Sequence, residues 1–500
     1  MESYDLCIIG GGPAGYAAAM RAVDFGKRVV LVERDKIGGA GIYNGALASK
    51  AMWEFSQKYF TVKNELRENS AGPDEVNGFD ISFQDFMKST NAAVFDRKFQ
   101  LACHVKLLQT ETERPLFTYE RGSGSLTDKN HVLIQKGTKE KLIFADNIIL
   151  ATGSRPRKLS NIPIDEKIIF TSDGIFSITD FPKSMVVLGA GVIGCEFATI
   201  FSNLGKTKVF LIDKADRILP FEDEDVSSTA AFNLERNGAV IHRNSSLVRM
   251  EIKNGQVEYE LQYKDGRTEV HHVEKALISV GRIPNTNGLG VETAGVTVDP
   301  NGYILEKDTQ TVVPNIYAAG DITKHISLVN VGELEGRLAV EKMFDEPGKK
   351  LTYENLSAIM FLNPEVATVG LNEQQAKEKG MNFRVVKIDY SCIARAIAMR
   401  KTQGFFKIIV TDDEEMKILG MRAVGEHASS AIQAVALLIS MDKGIGVLAD
   451  LIHPHPSIIE GIQECVRMLL GKSIFKSSVF KDKLKCYRYV NGEVIPMERL

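Results

Sequence analysis

Tyr4-Asp5-Leu6-Cys7-Ile8-Ile9-Gly10-Gly11-Gly12-Pro13-Ala14-Gly15 lies at the head of the chain and decides its fold. Residues 4–9 read as a strand buried on both faces. Gly10 to Gly15 has the spacing G-x-G-x-x-G, and the run from Tyr16 to Phe25 is compatible with a helix. A second strand, Arg28 to Val32, ends at Glu33. Strand, glycine turn and helix in that order form a dinucleotide-binding fingerprint in its required context. Gly10 permits the turn, Gly12 lets the backbone approach a pyrophosphate, and Gly15 lets the helix pack on the strand. Glu33, roughly 20 residues further on, is placed to accept from a ribose hydroxyl.

The same unit recurs. Ser184 to Leu188 reads as a strand, Gly189-Ala190-Gly191-Val192-Ile193-Gly194 as the turn, and Cys195 to Leu204 as a helix. Lys208 to Ile212 is the second strand, with Asp213 as the acidic residue after it. Two fingerprints imply two dinucleotides on one chain, the layout of flavin-linked nicotinamide enzymes. Asp213 favours NADH over NADPH, because a carboxylate accepts from a ribose 2′-hydroxyl and repels a 2′-phosphate.

Length and composition set the outer bounds. Five hundred residues suggest about three domains at ~150 residues each. Apolar residues at 44%, charged residues at 25% and 42 glycines fit an ordinary α/β protein. A net charge of −3 gives no sign of a nucleic acid or an anionic membrane as partner. The apolar run from Ala431 to Ile439 is too short to span a bilayer. The N-terminus runs straight into a strand, leaving no room for a signal peptide, so a cytoplasmic location is expected. The six cysteines show no CxxC or CxxxxC spacing, and neither a zinc site nor a disulfide framework follows. Residues 64–80 and 109–125 read as loop or irregular, Phe144 to Leu150 as a strand, and Tyr487 to Ile495 as a small hairpin on a solvated extension.

Residues 38–50, Gly-Gly-Ala-Gly-Ile-Tyr-Asn-Gly-Ala-Leu-Ala-Ser-Lys, closely resemble the active-site segment of the pyridine nucleotide–disulfide oxidoreductases. That family, which includes dihydrolipoamide dehydrogenase and glutathione reductase, has the pattern G-G-x-C-x-x-x-G-C-x-P-S-K. Gly38, Gly39, Gly45, Ser49 and Lys50 match it, whereas Gly41 and Ala46 stand in the cysteine positions and Ala48 in that of the proline. Ala151-Thr152-Gly153-Ser154-Arg155-Pro156, residues 276–285, Asn315 to Asp321, and Phe361 to Gly370 with Lys407 are similar to further family motifs in the right order. His453-Pro454-His455-Pro456-Ser457-Ile458-Ile459-Glu460 places His455 and Glu460 on the acid–base pair of the pattern H-P-[TS]-x-x-E.

The resemblance implies an α/β fold: two Rossmann-like dinucleotide-binding domains plus a C-terminal α+β dimerisation domain. FAD is expected on residues 1–155 and 285–350, NAD on 156–284, the dimer contact on 351–475, and an extension at 476–500. Besides Gly10, Gly12, Pro13, Ala14, Gly15 and Glu33, it implies FAD contacts from Gly39, Ala40, Gly41, Lys50, Ala151, Thr152, Gly153, Gly320 and Asp321. It implies NAD contacts from Gly189, Gly191, Val192, Ile193, Gly194, Glu196, Asp213, Gly281 and Arg282. Lys50 and Glu196 are implied as a charge pair beside the flavin, and His455 with Glu460 as a proton donor and its orienter, supplied across a homodimer.

Without two thiols, one sulfur cannot attack a substrate while the other passes electrons to the flavin. Four readings follow. The first is an FAD-dependent NADH:acceptor oxidoreductase with a small-molecule acceptor such as a quinone. The second is a soluble transhydrogenase, the third a dihydrolipoamide dehydrogenase-like protein without disulfide chemistry, and the fourth a non-catalytic FAD/NAD-binding protein. No metal is expected: His453 and His455 have no third ligand near them in sequence, and zinc needs at least three from protein.

Overall fold

Parallel strands buried on both faces need continuous apolar runs, and Leu6 to Ile9 meets that condition, with each residue at most 3% exposed. A computed structural model describes residues 1–69, 80–110, 115–345 and 348–497. It divides into two compact units. The first comprises Met1–Pro182, Arg249–Glu258 and His272–Leu351; the second comprises Lys183–Val248, Tyr259–His271 and Thr352–Leu500.

In the first unit, strand Glu2–Ile9 pairs in parallel with Val29–Glu33 on one side and Lys139–Leu150 on the other. Ile316–Ala318 extends the sheet beyond Lys139–Leu150, and Phe117–Arg121 extends it beyond Val29–Glu33, both in parallel. Ser123–Leu126 and His131–Lys136 add an antiparallel flap. Helices Pro13–Asp24 and Val329–Phe344 pack tightly on each other because their contact is lined by small residues. A Cβ at Gly336 would lie 2.1 Å from the Ala14 carbonyl oxygen, so only glycine allows this approach.

Two sequence expectations are corrected here. Residues 64–69 are the end of helix Ala46–Asn69, not loop. Asn69, Ser70, Gly72 and Pro73 signal a break, but the preceding Lys63-Asn64-Glu65-Leu66-Arg67 is rich in good helix formers. Residues 70–79 lie outside the described residues. Within 109–125, Gln109 and Thr110 end helix Phe83–Thr110, and residues 111–114 are not described. Phe117–Arg121 is a strand, anchored by the register Val29↔Phe117. Its half-exposed edge position tolerates the charges that made it look irregular.

The second unit repeats the parallel motif: Ser184–Leu188, Lys208–Ile212 and Val240–His242, with Leu211↔Val187 and Ile212↔His242 in register. Helix Val192–Leu204 follows its glycine turn. The C-terminal part is an antiparallel sheet with strands in the order 357–360, 366–370, 418–424, 405–411, 383–389, 484–490, 493–496. Helices Gln433–Ser440 and Glu460–Leu469 cover its core. The expected hairpin exists, as Leu484–Val490 and Glu493–Pro496. It is not a solvated extension, because its first strand pairs with Phe383–Asp389. Leu484 is only 2% exposed, and Arg488 binds buried Asp412 at 2.6 Å. Lys485 and Arg488 flank the apolar pair Cys486 and Tyr487, so no period-2 alternation announces this strand in the sequence.

Buried charges also tie segment 222–225 to this sheet. The Lys407 ammonium is 3.1 Å from both Asp223 and Asp225 and also meets Glu373. Arg422 Nε lies 2.9 Å from Glu222.

Candidate functional site

The first glycine turn delivers the N-terminus of helix Pro13–Asp24, with Pro13 in the first turn, where a missing N–H is harmless. A Cβ built on Gly12 meets nothing within 4 Å, so the helix end is open to a ligand. Backbone N–H groups at such an end form an anion site. Gly15 is fixed by close approach: its Cβ would lie 1.9 Å from the Gly10 oxygen. Gly11 N–H donates to Glu33 Oε2 and Asp35 N–H to Glu33 Oε1, each at 2.7 Å. The carboxylate is thus locked beside the turn with lone pairs to spare.

The second fingerprint uses the same device. Ala190 N–H donates to Asp213 Oδ2 at 2.8 Å and Ala215 N–H to Asp213 Oδ1 at 2.9 Å. A Cβ at Gly191 also meets nothing within 4 Å, and Gly191 caps helix Val192–Leu204. Glu196, in the second turn of that helix, is buried, and its Oε1 accepts from Phe361 N–H at 3.0 Å.

In the first unit, segment 38–50 folds as a short turn Gly39–Ile42 followed by helix Ala46–Asn69. Cβ atoms added to Gly39, Gly41 and Gly320 would lie 3.3 Å from Gly12 Cα, 2.7 Å from Pro13 Cγ and 3.2 Å from Ala14 Cβ. These expected FAD residues are therefore gathered around one helix N-terminus. Ser49 Oγ donates to the Gly45 oxygen at 2.8 Å, and Lys50 Nζ lies 3.4 Å from Ser49 Oγ. Lys50 belongs to the first unit and Glu196 to the second.

Ala151 N–H donates to Ile9 O, closing the strand end, while Thr152 and Gly153 are laced to Asn285. Asp321 Oδ2 accepts from Ser154 Oγ at 2.7 Å, and Ser154 Oγ in turn accepts from Arg282 Nε at 2.7 Å. The Arg282 guanidinium also pairs with Asp173 at 2.9 Å. Gly281 and Arg282 thus lie in the first unit, where Arg282 braces the residues that hold Asp321. Ser154, Asn285 and Glu335 were not singled out from sequence. Glu335, which accepts from Gly320 N–H at 2.6 Å, is 1% exposed in an otherwise apolar helix face. A buried carboxylate there is the signal, visible only once the helix is placed.

His455 Nδ1 lies 2.8 Å from Glu460 Oε1, and Ser457 N–H donates to Glu460 Oε2 at 2.9 Å. Burial raises the Glu460 carboxyl, but the Ser457 N–H, the His455 bond and the charges of His455 and His453 outweigh it and leave it below the usual range. The His455 side chain is 71% exposed, open to a substrate or a second chain. All six cysteines are free, and burial pushes the thiols of Cys7, Cys195 and Cys465 up.

The pyridine nucleotide-disulphide oxidoreductase family matches residues 4–336, and its dimerisation domain matches 356–466. The chain belongs to this family. It is a family of flavoprotein oxidoreductases whose dihydrolipoyl dehydrogenase members use FAD and NAD(H), and the chain is an enzyme of that class. The mitochondrial dihydrolipoyl dehydrogenase of Schizosaccharomyces pombe is 31% identical, over 94% of this chain and 91% of its own length. A dihydrolipoyl dehydrogenase of Bacillus subtilis is also 31% identical, over 94% and 99%. Among solved structures, LpdA from Mycobacterium tuberculosis aligns with TM-score 0.82 and 25% identity over 94% of this chain and 100% of that one. The Cu(II) complex of the HOCl-induced flavoprotein disulfide reductase RclA from Escherichia coli gives the same values. The matched dimerisation domain points to a homodimer. Among the described residues no helix is long and apolar enough to cross a membrane.

Proposed function

We propose that this family member is an NADH:acceptor oxidoreductase whose small-molecule acceptor is a quinone rather than a disulfide. The observation that carries the reading is Gly41 and Ala46 in the two positions where the family pattern has thiols. FAD, when bound, supplies the two-electron relay between nicotinamide and acceptor. NADH, a proton and a quinone yield NAD⁺ and a quinol, a balance that needs no sulfur.

The chain's residues divide the remaining work. The open helix ends at Gly12 and Gly191 hold pyrophosphates. Glu33 and Asp213, each locked by a backbone N–H of its own turn, orient the riboses, and Asp213 selects NADH. Lys50 is assigned to the flavin and Glu196 to the nicotinamide. His455, oriented by Glu460, delivers the proton to the reduced acceptor. A cytoplasmic location belongs to this reading; six free cysteines suit a reducing compartment.

The other readings each meet an obstacle. Dihydrolipoamide oxidation needs the missing thiols. Transhydrogenation needs a 2′-phosphate that Asp213 repels. A non-catalytic binding protein leaves the His455–Glu460 bond without purpose. Turnover of the purified protein with NADH against quinones, NADP analogues and dithiols tests the proposal. Quinone reduction without dihydrolipoamide oxidation is expected, and dihydrolipoamide turnover contradicts it.

A further inference from the structure

Strands Val240–His242 and Thr268–Val273 bring His242, Glu269 and His271 together in the second unit, and none of the three side chains has a role in the proposed reaction. Glu269 and His271 are two residues apart on one strand and therefore share a face. His271 Nε2 lies 3.2 Å from Glu269 Oε2. Tyr263 Oη donates to the same oxygen at 3.0 Å and lies 2.7 Å from His242 Nδ1. Arg267 holds the other oxygen, Oε1, at 2.7 Å, which turns Oε2 towards the histidines. One ligand atom each from His242, Glu269 and His271 lies within 4.8 Å of the other two.

Two buried polar atoms here lack a hydrogen-bond partner: His242 Nε2 and Tyr259 Oη. His242 is 8% exposed and Tyr259 is fully buried, its ring stacked on His271 at 5.1 Å between centroids. Buried polar atoms are normally satisfied, and orphans mark a missing water or ion. Two imidazoles and one carboxylate are a donor set for zinc with a fourth position for water. Magnesium and calcium prefer all-oxygen sites.

We propose that His242, Glu269 and His271 form a site for a zinc-class divalent cation. Tetrahedral bonds of about 2.0–2.1 Å place ligand atoms roughly 3.3 Å apart. The His271–Glu269 contact already has that spacing, and all three ligand atoms lie within 4.8 Å of one another. Tyr263, bonded to both His242 and Glu269, orients two of the ligands. The site adjoins the nucleotide edge: Ile212 pairs with His242, and Asp213 N–H donates to the His242 oxygen at 3.4 Å. A bound ion therefore braces the strand beside the ribose-binding carboxylate.

The test uses the full-length, FAD-loaded protein, stripped with a chelator and titrated with Zn²⁺ against a chromophoric competitor. One ion per chain and a raised melting temperature are expected. His271→Gln and Glu269→Gln, both partly exposed positions, should each weaken binding at least tenfold while keeping their flavin content. X-ray absorption on the wild type should show imidazole scattering and no sulfur. Absence of stoichiometric binding, which would leave only a water bridging the orphans, overturns the proposal. So does binding that is unchanged in both variants, or zinc with sulfur neighbours.

Discussion

Asp213 and Glu33 act through the same local arrangement: each carboxylate takes a backbone N–H from the second position of its own glycine turn. The turn and the acid therefore hold each other in place before a dinucleotide arrives, which reduces the ordering required on binding. Asp213→Ala should raise KM for NADH about 10- to 100-fold, because hydrogen bonds to charged groups contribute about 1.5–3 kcal/mol. It should also narrow the preference over NADPH. Steady-state kinetics with both nucleotides reads this, and an unaltered ratio speaks against the assignment. His455→Gln should leave flavin reduction by NADH intact in stopped-flow traces. It should slow reoxidation by quinone about 10²-fold or more, the usual contribution of a general acid. The Glu460 carboxyl lies below its ordinary range, so its charged form is favoured in the fold. Its orienting bond is fully present above the unfolded pKa and is lost as pH falls through the lowered value, so any acid limb that Glu460 puts on reoxidation should lie below the ordinary carboxylate range.

Among the elements, the strand Leu484–Val490 and the ion cluster at Lys407 depart furthest from a simple reading. Lys407 is 4% exposed among three carboxylates, so Lys407→Met leaves them buried without their cation. A loss of about 3–5 kcal/mol in denaturant unfolding is expected; a loss below about 1 kcal/mol would show the cluster to be solvated. Burial raises the Asp412 carboxyl, but Arg488 and Arg384 outweigh it and hold it below the ordinary range. Its contribution to docking the tail strand is therefore present above the unfolded pKa and fades as pH falls through the lowered one. Amide exchange across 484–490 should quicken on acidification in the wild type and already be fast in Asp412→Asn at neutral pH. Both fingerprints were legible in the sequence because turn geometry and nucleotide chemistry impose residue types at fixed spacing. The helical end at 64–69 was hidden by the turn residues that follow it. The tail hairpin was legible as a hairpin, but its docking on Phe383–Asp389 was not, nor was strand Phe117–Arg121, because their sheet partners lie far away in sequence. The Ser154–Asp321–Arg282 chain was hidden for the same reason: nothing local links three polar residues so far apart.

At the scale of the whole molecule, the family supplies the frame and the segment 38–50 supplies the departure from it. The matched dimerisation domain and the exposed His455 predict a dimer in analytical ultracentrifugation, with activity lost on dissociation. A fully active monomer contradicts the role given to His455. The central claim is a hydride relay without a redox disulfide. A Cβ at Gly41 would sit 2.7 Å from Pro13 Cγ, so a thiol at that position needs the proline ring to move. Among the six cysteines, all outside this segment, burial raises the thiols of Cys7, Cys195 and Cys465 and pushes Cys486 up to about 11, which keeps these four protonated and unreactive at neutral pH. Anaerobic titration of the FAD-loaded protein with NADH tests the claim most directly. The account predicts uptake of one equivalent per FAD with no thiolate-to-flavin absorption band, unchanged after thiol alkylation. Uptake of two equivalents, with a long-wavelength band that alkylation abolishes, would contradict it.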